Sequence, residues 1–151
     1  LAFATQTTLS VDDTAEIISV LQFRFPEISG PRGEDICYAT TNRQKAVKDI
    51  AAGVDLMLVV GAENSSNSQR LVEVAKLAGA RRSVLIADKD AIDWQLVDDA
   101  QHIGLSAGAS APESLVEDVV AALGERYQID ISEEGKVRET VNFKLPSILL
   151  S

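Results

Sequence analysis

Three polar turns and one cysteine are the parts of this sequence whose residue types could do chemistry. The turns are the hydroxyl-rich runs TQTT, NSSNS and SAGAS at residues 5–8, 64–68 and 106–110. Hydroxyl and small side chains let an anionic ligand approach the free N–H groups at a helix N-terminus, where the helix dipole also favours negative charge. The three turns therefore predict a pocket for a phosphate or diphosphate group.

Helix capping is a simpler explanation for part of this pattern. At four places a hydroxyl residue is followed three positions later by Asp, Glu or Gln, which is the spacing of a capping box. The four pairs are Ser10 with Asp13, Thr41 with Gln44, Ser66 with Gln69, and Ser110 with Glu113. A cap needs one hydroxyl, so capping leaves the excess of hydroxyl residues in the three runs unexplained. Both interpretations stay open for Ser66, because a capping serine can still present its backbone N–H to a phosphate.

Cys37 is the one cysteine of the chain, so it cannot form an internal disulfide and cannot build a structural zinc site from this chain alone. The commoner fate of a lone cysteine is that of a small buried hydrophobe. The functional alternative is a thiolate just ahead of a helix N-terminus, where it could serve as a nucleophile or a metal ligand. Its position in the sequence does not decide between them.

Other polar residues carry weaker indications. Arg43 and Lys45 follow a predicted helix start and could reach a phosphate, although solvated basic side chains are commoner. His102 opens an apolar strand with no second histidine or cysteine nearby, which favours a structural role. Paired carboxylates occur at Asp12, Asp13, Asp98 and Asp99, and we expect them to be solvated.

The stretch 55–79 predicts the element that positions the central turn. Residues 56–60 are a continuous apolar run of strand length, and the apolar residues of the following segment recur at helical spacing until Gly79. Similar units surround it. We expect strands at residues 1–4, 83–87, 102–106 and 140–146, and helices that include Ile17, Ile18, Leu21 and Phe25 before Pro26, Ala46 to Ala51, and Leu115 to Leu123.

Alternation of strands and helices predicts an α/β fold, with open, mostly parallel sheets and flanking helices. Ligands of such sheets lie beyond the carboxyl ends of the strands, where the polar turns would meet. The Gly- and Pro-rich segment at 28–34 is the best candidate domain boundary. We therefore divide the chain into residues 1–33, residues 34–124, and a tail at 125–151.

Composition restricts the partners. The chain has 23 acidic and 14 basic residues and a formal net charge of −9, which disfavours binding to nucleic acid and to anionic membranes. An anionic ligand would therefore need local help from helix N-termini and hydroxyl groups. The absence of a signal-like start and of a long apolar segment, together with the single cysteine, leads us to expect a cytoplasmic protein.

Four motifs carry a resemblance to a known family. They are TQTTLSVDDT at residues 5–14, DICYATTNRQ at 35–44, NSSNSQRL at 64–71 and AGASAPE at 107–113. In this order they resemble the 4-hydroxy-3-methylbut-2-enyl diphosphate reductase family, the last enzyme of the non-mevalonate isoprenoid route. The resemblance covers nearly the whole chain, and VNFKLP at 141–146 is similar to the family's tail.

The resemblance implies three similar α/β domains around a central [4Fe–4S] cluster, held by one cysteine from each domain. It implies a two-electron reductive dehydroxylation of the substrate to isopentenyl and dimethylallyl diphosphate, with electrons from a donor protein such as ferredoxin or flavodoxin. Cys37 would be the third cluster ligand. Thr7 would lie beside the substrate's hydroxymethyl group in the proton-delivery network, with Thr8 next to it. The implied diphosphate ligands are Ser65, Ser66, Asn67 and Ser110.

The family's other two cysteines, its diphosphate-binding histidines and its proton-donating glutamate have no counterpart in this sequence. A cluster needs three or four protein ligands, so one cysteine cannot hold it alone. We therefore expect the chain to correspond to the later part of the second domain, the third domain and the tail, and to be inactive by itself. Lacking the first domain, it could also self-associate. The alternative function is a stand-alone α/β module that binds a phosphorylated small molecule without redox chemistry.

Overall fold

A computed structural model describes residues 1–31 and 36–133 of the chain. Its centre is a three-stranded parallel sheet of β1 (Leu56–Val60), β2 (Arg82–Ile86) and β3 (Ile103–Ala107), in the order β2-β1-β3. All five residues of β1 are buried, as expected of a middle strand covered on both faces. The predicted α/β class, with a parallel sheet and flanking helices, is confirmed.

Five α-helices accompany the sheet in the described part of the chain. They are α1 (Val11–Arg24), α2 (Tyr38–Ala51), α3 (Ser66–Leu77), α4 (Trp94–Asp98) and α5 (Glu113–Arg126). A short 3-10 turn at Lys89–Ala91 precedes α4. The helix predicted after the central strand is therefore present, and Gly79, with φ at +110°, ends it in a conformation that suits glycine.

Two apolar clusters cover the two faces of the sheet. Met57 and Val59 of β1 face α2 and α3, where they pack with Val47 and Leu71. The alternate residues of β1 point the other way, toward α5, in a cluster that contains Leu56, Leu58, Val60, Ile86, Val119 and Leu123. Because successive side chains of a strand point to opposite faces, one continuous apolar run serves both clusters.

The edges of several predicted elements are wrong. Residues 1–4 do not form a strand but contribute one isolated parallel bridge, between Ala2 and Ser29. β2 and β3 lie one residue from their predicted bounds. The backbone of His102 is instead tied to Asp55, whose N–H donates to the His102 carbonyl at 2.8 Å and whose carboxylate accepts from the His102 N–H at 3.0 Å. This structural role is the one that the sequence favours for His102.

The remaining predictions stay open. The strand at 140–146 lies outside the described residues. The division into domains at 28–34 also stays a prediction. No helix in the described ranges combines the length and the apolar character needed to cross a membrane.

Candidate functional site

The turn between β1 and α3 is built around Ser65. Its backbone is extended, with φ −82° and ψ 106°, and its Oγ accepts a hydrogen bond from the Ser68 N–H at 3.3 Å. Ser65 is therefore the N-cap of α3. The prediction that Ser66 is the cap is wrong, because Ser66 is already the first helical residue, and its side chain is exposed. Ser66 is thus available to a ligand without giving up a cap.

Asn67 presents a buried amide that nothing in the described part of the chain satisfies. The residue is 8% exposed, and neither Oδ1 nor Nδ2 has a hydrogen-bond partner there. It lies in the first turn of α3, close to Gly108 of the neighbouring turn, since Nδ2 is 3.7 Å from the place that a Cβ on Gly108 would take. Buried amides are nearly always paired in folded proteins. This one offers a donor and an acceptor to a polar ligand.

Ser68 holds the two turns together, and sequence reasoning missed its role. It is 1% exposed, and its Oγ donates to Ser65 Oγ at 3.0 Å. Gly61, directly after β1, and Gly108, directly after β3, press against it so closely that a Cβ on either glycine would collide with the Ser68 hydroxyl. Packing against Ser68 therefore requires glycine at these two positions. The glycines that follow the two apolar strands were the available signal.

The turn after β3 carries Ser110, whose side chain is exposed. The prediction that Ser110 caps α5 is wrong, because the N-cap is Pro112, two residues later, and it makes no side-chain cap. The turn is closed by the Ala111 N–H, which donates to the Gly108 carbonyl at 3.0 Å. Capping therefore does not account for the hydroxyl group of Ser110.

Cys37 is the N-cap of α2, and its side chain makes no capping hydrogen bond. The interpretation of Cys37 as a buried hydrophobe is wrong, because the residue is exposed. The predicted helix start at Thr41 is also wrong, since α2 begins at Tyr38 and Thr41 lies inside it. The free thiol therefore stands at the N-terminus of a fourteen-residue helix.

The segment that precedes α1 connects Cys37 to the serine turn. The Cys37 N–H donates to the carbonyl oxygen of Thr7 at 3.3 Å. The next residue, Thr8, lines a cleft of about 200 Å³ that Ser66 also lines. The other residues lining the cleft are Gln6, Leu9, Gln69, Arg70 and Glu73. The backbone of Thr7 thus contacts Cys37, and Thr8 lines the cleft beside Ser66, although no hydrogen bond in the described residues joins Cys37 directly to Ser65, Ser66, Asn67 or Ser110.

Arg43 has a structural partner rather than a free, solvated side chain. Its Nη1 donates to the carbonyl oxygen of Ala107 at 3.2 Å, which fixes α2 to the carboxyl end of β3. Lys45 is exposed, as the solvated interpretation expects. Ser10 caps α1, accepting from the Asp13 N–H at 3.3 Å, so one of the four predicted capping hydroxyls is confirmed at its predicted residue.

The carboxyl edge of the sheet therefore carries an unpaired amide, exposed hydroxyls and an exposed thiol. Comparison with known families identifies the family to which the chain that carries this edge belongs. Residues 1–124 match the sequence model of the family described as LytB protein. The chain belongs to the LytB family.

Several curated relatives of this LytB chain are named as 4-hydroxy-3-methylbut-2-enyl diphosphate reductases. The chain is 57% identical to the 4-hydroxy-3-methylbut-2-enyl diphosphate reductase of Gluconobacter oxydans over 149 residues, which is 99% of the chain and 44% of the relative. It is equally similar, at 57%, to the reductase of that name from Paracoccus denitrificans, of which it covers 47%. The resemblance to this reductase family is confirmed. The chain spans about half the length of the curated relatives it matches.

A solved structure supports the same assignment of the fold. The Plasmodium falciparum E-1-hydroxy-2-methyl-but-2-enyl-4-diphosphate reductase superposes with a TM-score of 0.89 at 35% identity, over 99% of this chain and 48% of that chain. A second solved reductase, described as the terminal enzyme of the non-mevalonate pathway, superposes with a TM-score of 0.56 at 28% identity. The LytB fold is therefore the fold of an oxidoreductase family.

An iron–sulfur cluster is the cofactor that the family resemblance implies, and Cys37 fits one of its ligand positions. The thiol is exposed, has no competing capping bond and stands at a helix N-terminus. Nowhere in residues 1–31 and 36–133 do three or more His, Cys, Asp or Glu side chains gather where they could hold a metal ion. This chain can therefore contribute a single thiolate.

Proposed function

We propose that this chain supplies part of an enzyme that reduces 4-hydroxy-3-methylbut-2-enyl diphosphate to isopentenyl and dimethylallyl diphosphate. Its relatives bear the name of that reductase, and they are about twice its length. The single observation in the site that carries the proposal is the buried amide of Asn67, which has no partner among the described residues and stands at the N-terminus of α3. An anionic ligand would satisfy both the amide and the helix end.

The diphosphate group would be bound by the two turns at the carboxyl edge of the sheet. Asn67 Nδ2 and the backbone N–H groups at the start of α3 would donate to phosphate oxygens, and the exposed hydroxyls of Ser66 and Ser110 would add further donors. Ser65 would donate its own O–H, because its Oγ takes part in the turn as an acceptor, from the Ser68 N–H and hydroxyl. Local donors of this kind are necessary in a chain whose net charge is −9.

Cys37 would bind one iron of a [4Fe–4S] cluster as a thiolate, with the other cysteine ligands outside this chain. The cluster, when bound, supplies the electrons of the reductive dehydroxylation, while the protein supplies binding, orientation and protons. A cluster of this type requires several cysteine ligands. We therefore propose that the chain is inactive by itself.

Thr7 would orient the substrate's hydroxymethyl group and assist the proton transfer that lets the hydroxyl leave as water. Its backbone carbonyl is fixed to the Cys37 N–H, and its side chain is exposed. Thr8, the next residue, faces the cleft beside Ser66 and would limit the position of the substrate between the two regions. The electrons would come from a donor protein such as ferredoxin or flavodoxin.

The proposal is tested with a chimeric reductase, in which this chain replaces the matching part of the Gluconobacter oxydans relative. The chain and the chimeric reductase are each reconstituted anaerobically with iron and sulfide and assayed for product formation. The chimeric reductase should turn over substrate, and the chain alone should not. Activity in the chain alone would refute the need for ligands outside it, and an inactive chimera that binds iron normally would refute the assignment of the substrate.

A further inference from the structure

Gln44 of α2 is among the most deeply buried polar residues of the described chain, at 1% exposure. Both ends of its side-chain amide are used. Nε2 donates to the carbonyl oxygen of Leu9 at 2.8 Å, and Oε1 accepts from the N–H of Val11 at 3.0 Å. The side chain therefore pairs with two backbone groups of one short segment, as a neighbouring strand would.

These two bonds lie next to the part of the site that would handle protons. Leu9 and Val11 flank Ser10, the N-cap of α1, and Leu9 follows Thr8 directly. A further hydrogen bond to the backbone of this segment comes from the cap of α2, where the Cys37 N–H donates to Thr7 O at 3.3 Å. Hydrogen bonds thus attach segment 7–11 to α2 at Gln44 and at Cys37, which is the proposed cluster ligand.

The two hydrogen bonds of Gln44 hold the segment more strongly than the hydrogen bond of Cys37 does. They are shorter than the bond from Cys37, and the Gln44 side chain that makes them is buried, so that losing one leaves an unpaired polar group in the interior. The ion pair between Lys48 and Asp12 also joins α2 to α1, but it is exposed, and exposed pairs contribute little to stability. Gln44 thus adds two hydrogen bonds from a buried side chain to the backbone bond of Cys37 and the exposed ion pair.

We propose that Gln44 is a positioning residue that sets the place of the Thr7 hydroxyl relative to Cys37. This inference rests on the proposed function, because it assigns Gln44 a purpose only if Thr7 and Cys37 act on one substrate. Gln44 itself touches neither the substrate nor any reacting atom. It acts by holding the backbone of residues 9–11 at a fixed register on the helix that carries Cys37.

Two variants in the chimeric reductase test this. Gln44→Met keeps the length of the side chain but removes both hydrogen bonds. Gln44→Glu can replace both bonds when the carboxyl is protonated, since it then donates to Leu9 and accepts from Val11. When it is ionised, it meets the Leu9 carbonyl with negative charge. Burial favours the neutral form of such a carboxyl, which brings its titration toward the range where the enzyme can be assayed. Gln95→Met, on an exposed position of α4, is the matched control.

The expected result for Gln44→Met is a kcat lower by about tenfold to a hundredfold, the effect of misplacing a reacting group by about 1 Å. Its KM and iron content should match the unmodified chimera, because Cys37 and the serine turn are intact. The amide of Cys37 should exchange with solvent faster. The kcat of Gln44→Glu should approach that of the unmodified chimera as the pH falls. The ratio of the kcat of Gln44→Met to that of the unmodified chimera should be the same at every pH.

Two results would overturn the inference. One is that the Val11 amide of Gln44→Met exchanges faster while the Cys37 amide exchanges at an unchanged rate. This would show that the hydrogen bonds of Gln44 do not affect the hydrogen bond between Cys37 and Thr7. The other is a loss of activity in Gln44→Glu that does not depend on pH, which would show general damage to packing. If the unmodified chimera is inactive, the proposed function fails, and amide exchange at Cys37 and Val11 in the Gln44 variants still decides the positioning role. If Gln44→Met does not fold, Gln44→Glu at low pH carries the test.

Discussion

The backbone N–H of Cys37 donates a hydrogen bond to the carbonyl oxygen of Thr7 at 3.3 Å. This bond joins two residues that are far apart in the sequence, for which the family resemblance implies the roles of a cluster ligand and of a member of the proton-delivery network. Neither side chain takes part in it, so this bond leaves the thiol and the hydroxyl available to a ligand. The fold thereby places a candidate metal ligand and a candidate proton-transfer group together before any ligand is bound.

Asn67→Ala should weaken ligand binding without the usual loss of stability. The amide has no partner in the described chain, so its removal breaks no internal hydrogen bond and relieves an unsatisfied buried group. We expect the affinity of the chimeric reductase for inorganic pyrophosphate, measured by calorimetry, to fall by about tenfold or more, which corresponds to one bond to a charged group. The free energy of unfolding should fall by less than about 1 kcal/mol. Asn64→Ala, exposed in the same turn, is the control, and equal effects of the two variants would contradict the assignment.

Alanine at Gly61 or Gly108 should destabilise the fold, because a Cβ at either position collides with the buried Ser68. Overpacking of this kind costs about 1–3 kcal/mol. Gly53→Ala is the control, since its Cβ would meet nothing nearer than the Ile50 carbonyl at 3.7 Å. Urea unfolding measures all three variants.

A double-mutant cycle with Ser68→Ala checks the cause of this loss. At Gly108 the collision is with the Ser68 hydroxyl, and the Ser68 Cβ lies at 3.4 Å, so Ser68→Ala should relieve it. At Gly61 the Ser68 Cβ lies at 2.7 Å, so the same change should relieve less. Additive effects at Gly108 would show that Ser68 is not the obstacle.

Acid should weaken the amino edge of the sheet through Asp55. The backbone N–H groups of His102 and Gln101 donate to its carboxylate and lower the pKa of Asp55 below the ordinary value of 3.8. A carboxyl with a lowered folded-state pKa stabilises the fold above 3.8, and this contribution is lost as the pH falls through the folded pKa. Unfolding free energies measured from neutral pH downward should show this loss in the unmodified chain and a smaller one in Asp55→Asn. If the unfolding free energies of the unmodified chain and of Asp55→Asn declined in parallel, the role of Asp55 would be contradicted. It would also be contradicted if the exposed Asp118→Asn lost as little stability in acid as Asp55→Asn.

The apolar face of α1 should promote self-association of the isolated chain. Ile17 and Val20 are each 60% exposed, and Phe23 is 90% exposed. Exposed apolar residues grouped on one face favour association in water. Light scattering after size exclusion should show a mass that grows with concentration, and Val20→Glu with Phe23→Glu should suppress it. Leu77→Glu, at an exposed apolar residue of α3, should not. A clean monomer at high concentration would exclude this expectation.

The sheet and the polar turns could be predicted from the sequence because they rest on strong local patterns. The run 56–60 is apolar without interruption, and Gly79 marks the end of the next helix. The start of α2 could not be predicted in this way. Its buried face begins with Thr40 and Gln44 before it reaches Val47, so the first turns look like a polar loop although they are packed.

The cap of α3 could not be assigned because two serines stand side by side. The choice between Ser65 and Ser66 depends on which residue adopts the extended backbone of a cap, and both have the same side chain. The role of Gln44 could not be predicted from the sequence for a different reason. Its partners are backbone groups of Leu9 and Val11, which no side-chain pattern reveals.

The substitution Cys37→Ser in the chimeric reductase tests the central claim most directly, with iron content, substrate turnover and pyrophosphate affinity measured on the same anaerobic preparation. If Cys37 is one of the cluster ligands, the variant should lose turnover and bind less iron, while its affinity for pyrophosphate should stay within about twofold, because the serine turn is separate from the thiol. Unchanged turnover and iron content would contradict the claim. A chain that keeps pyrophosphate affinity and never supports turnover, with or without Cys37, would be the binding module without redox chemistry.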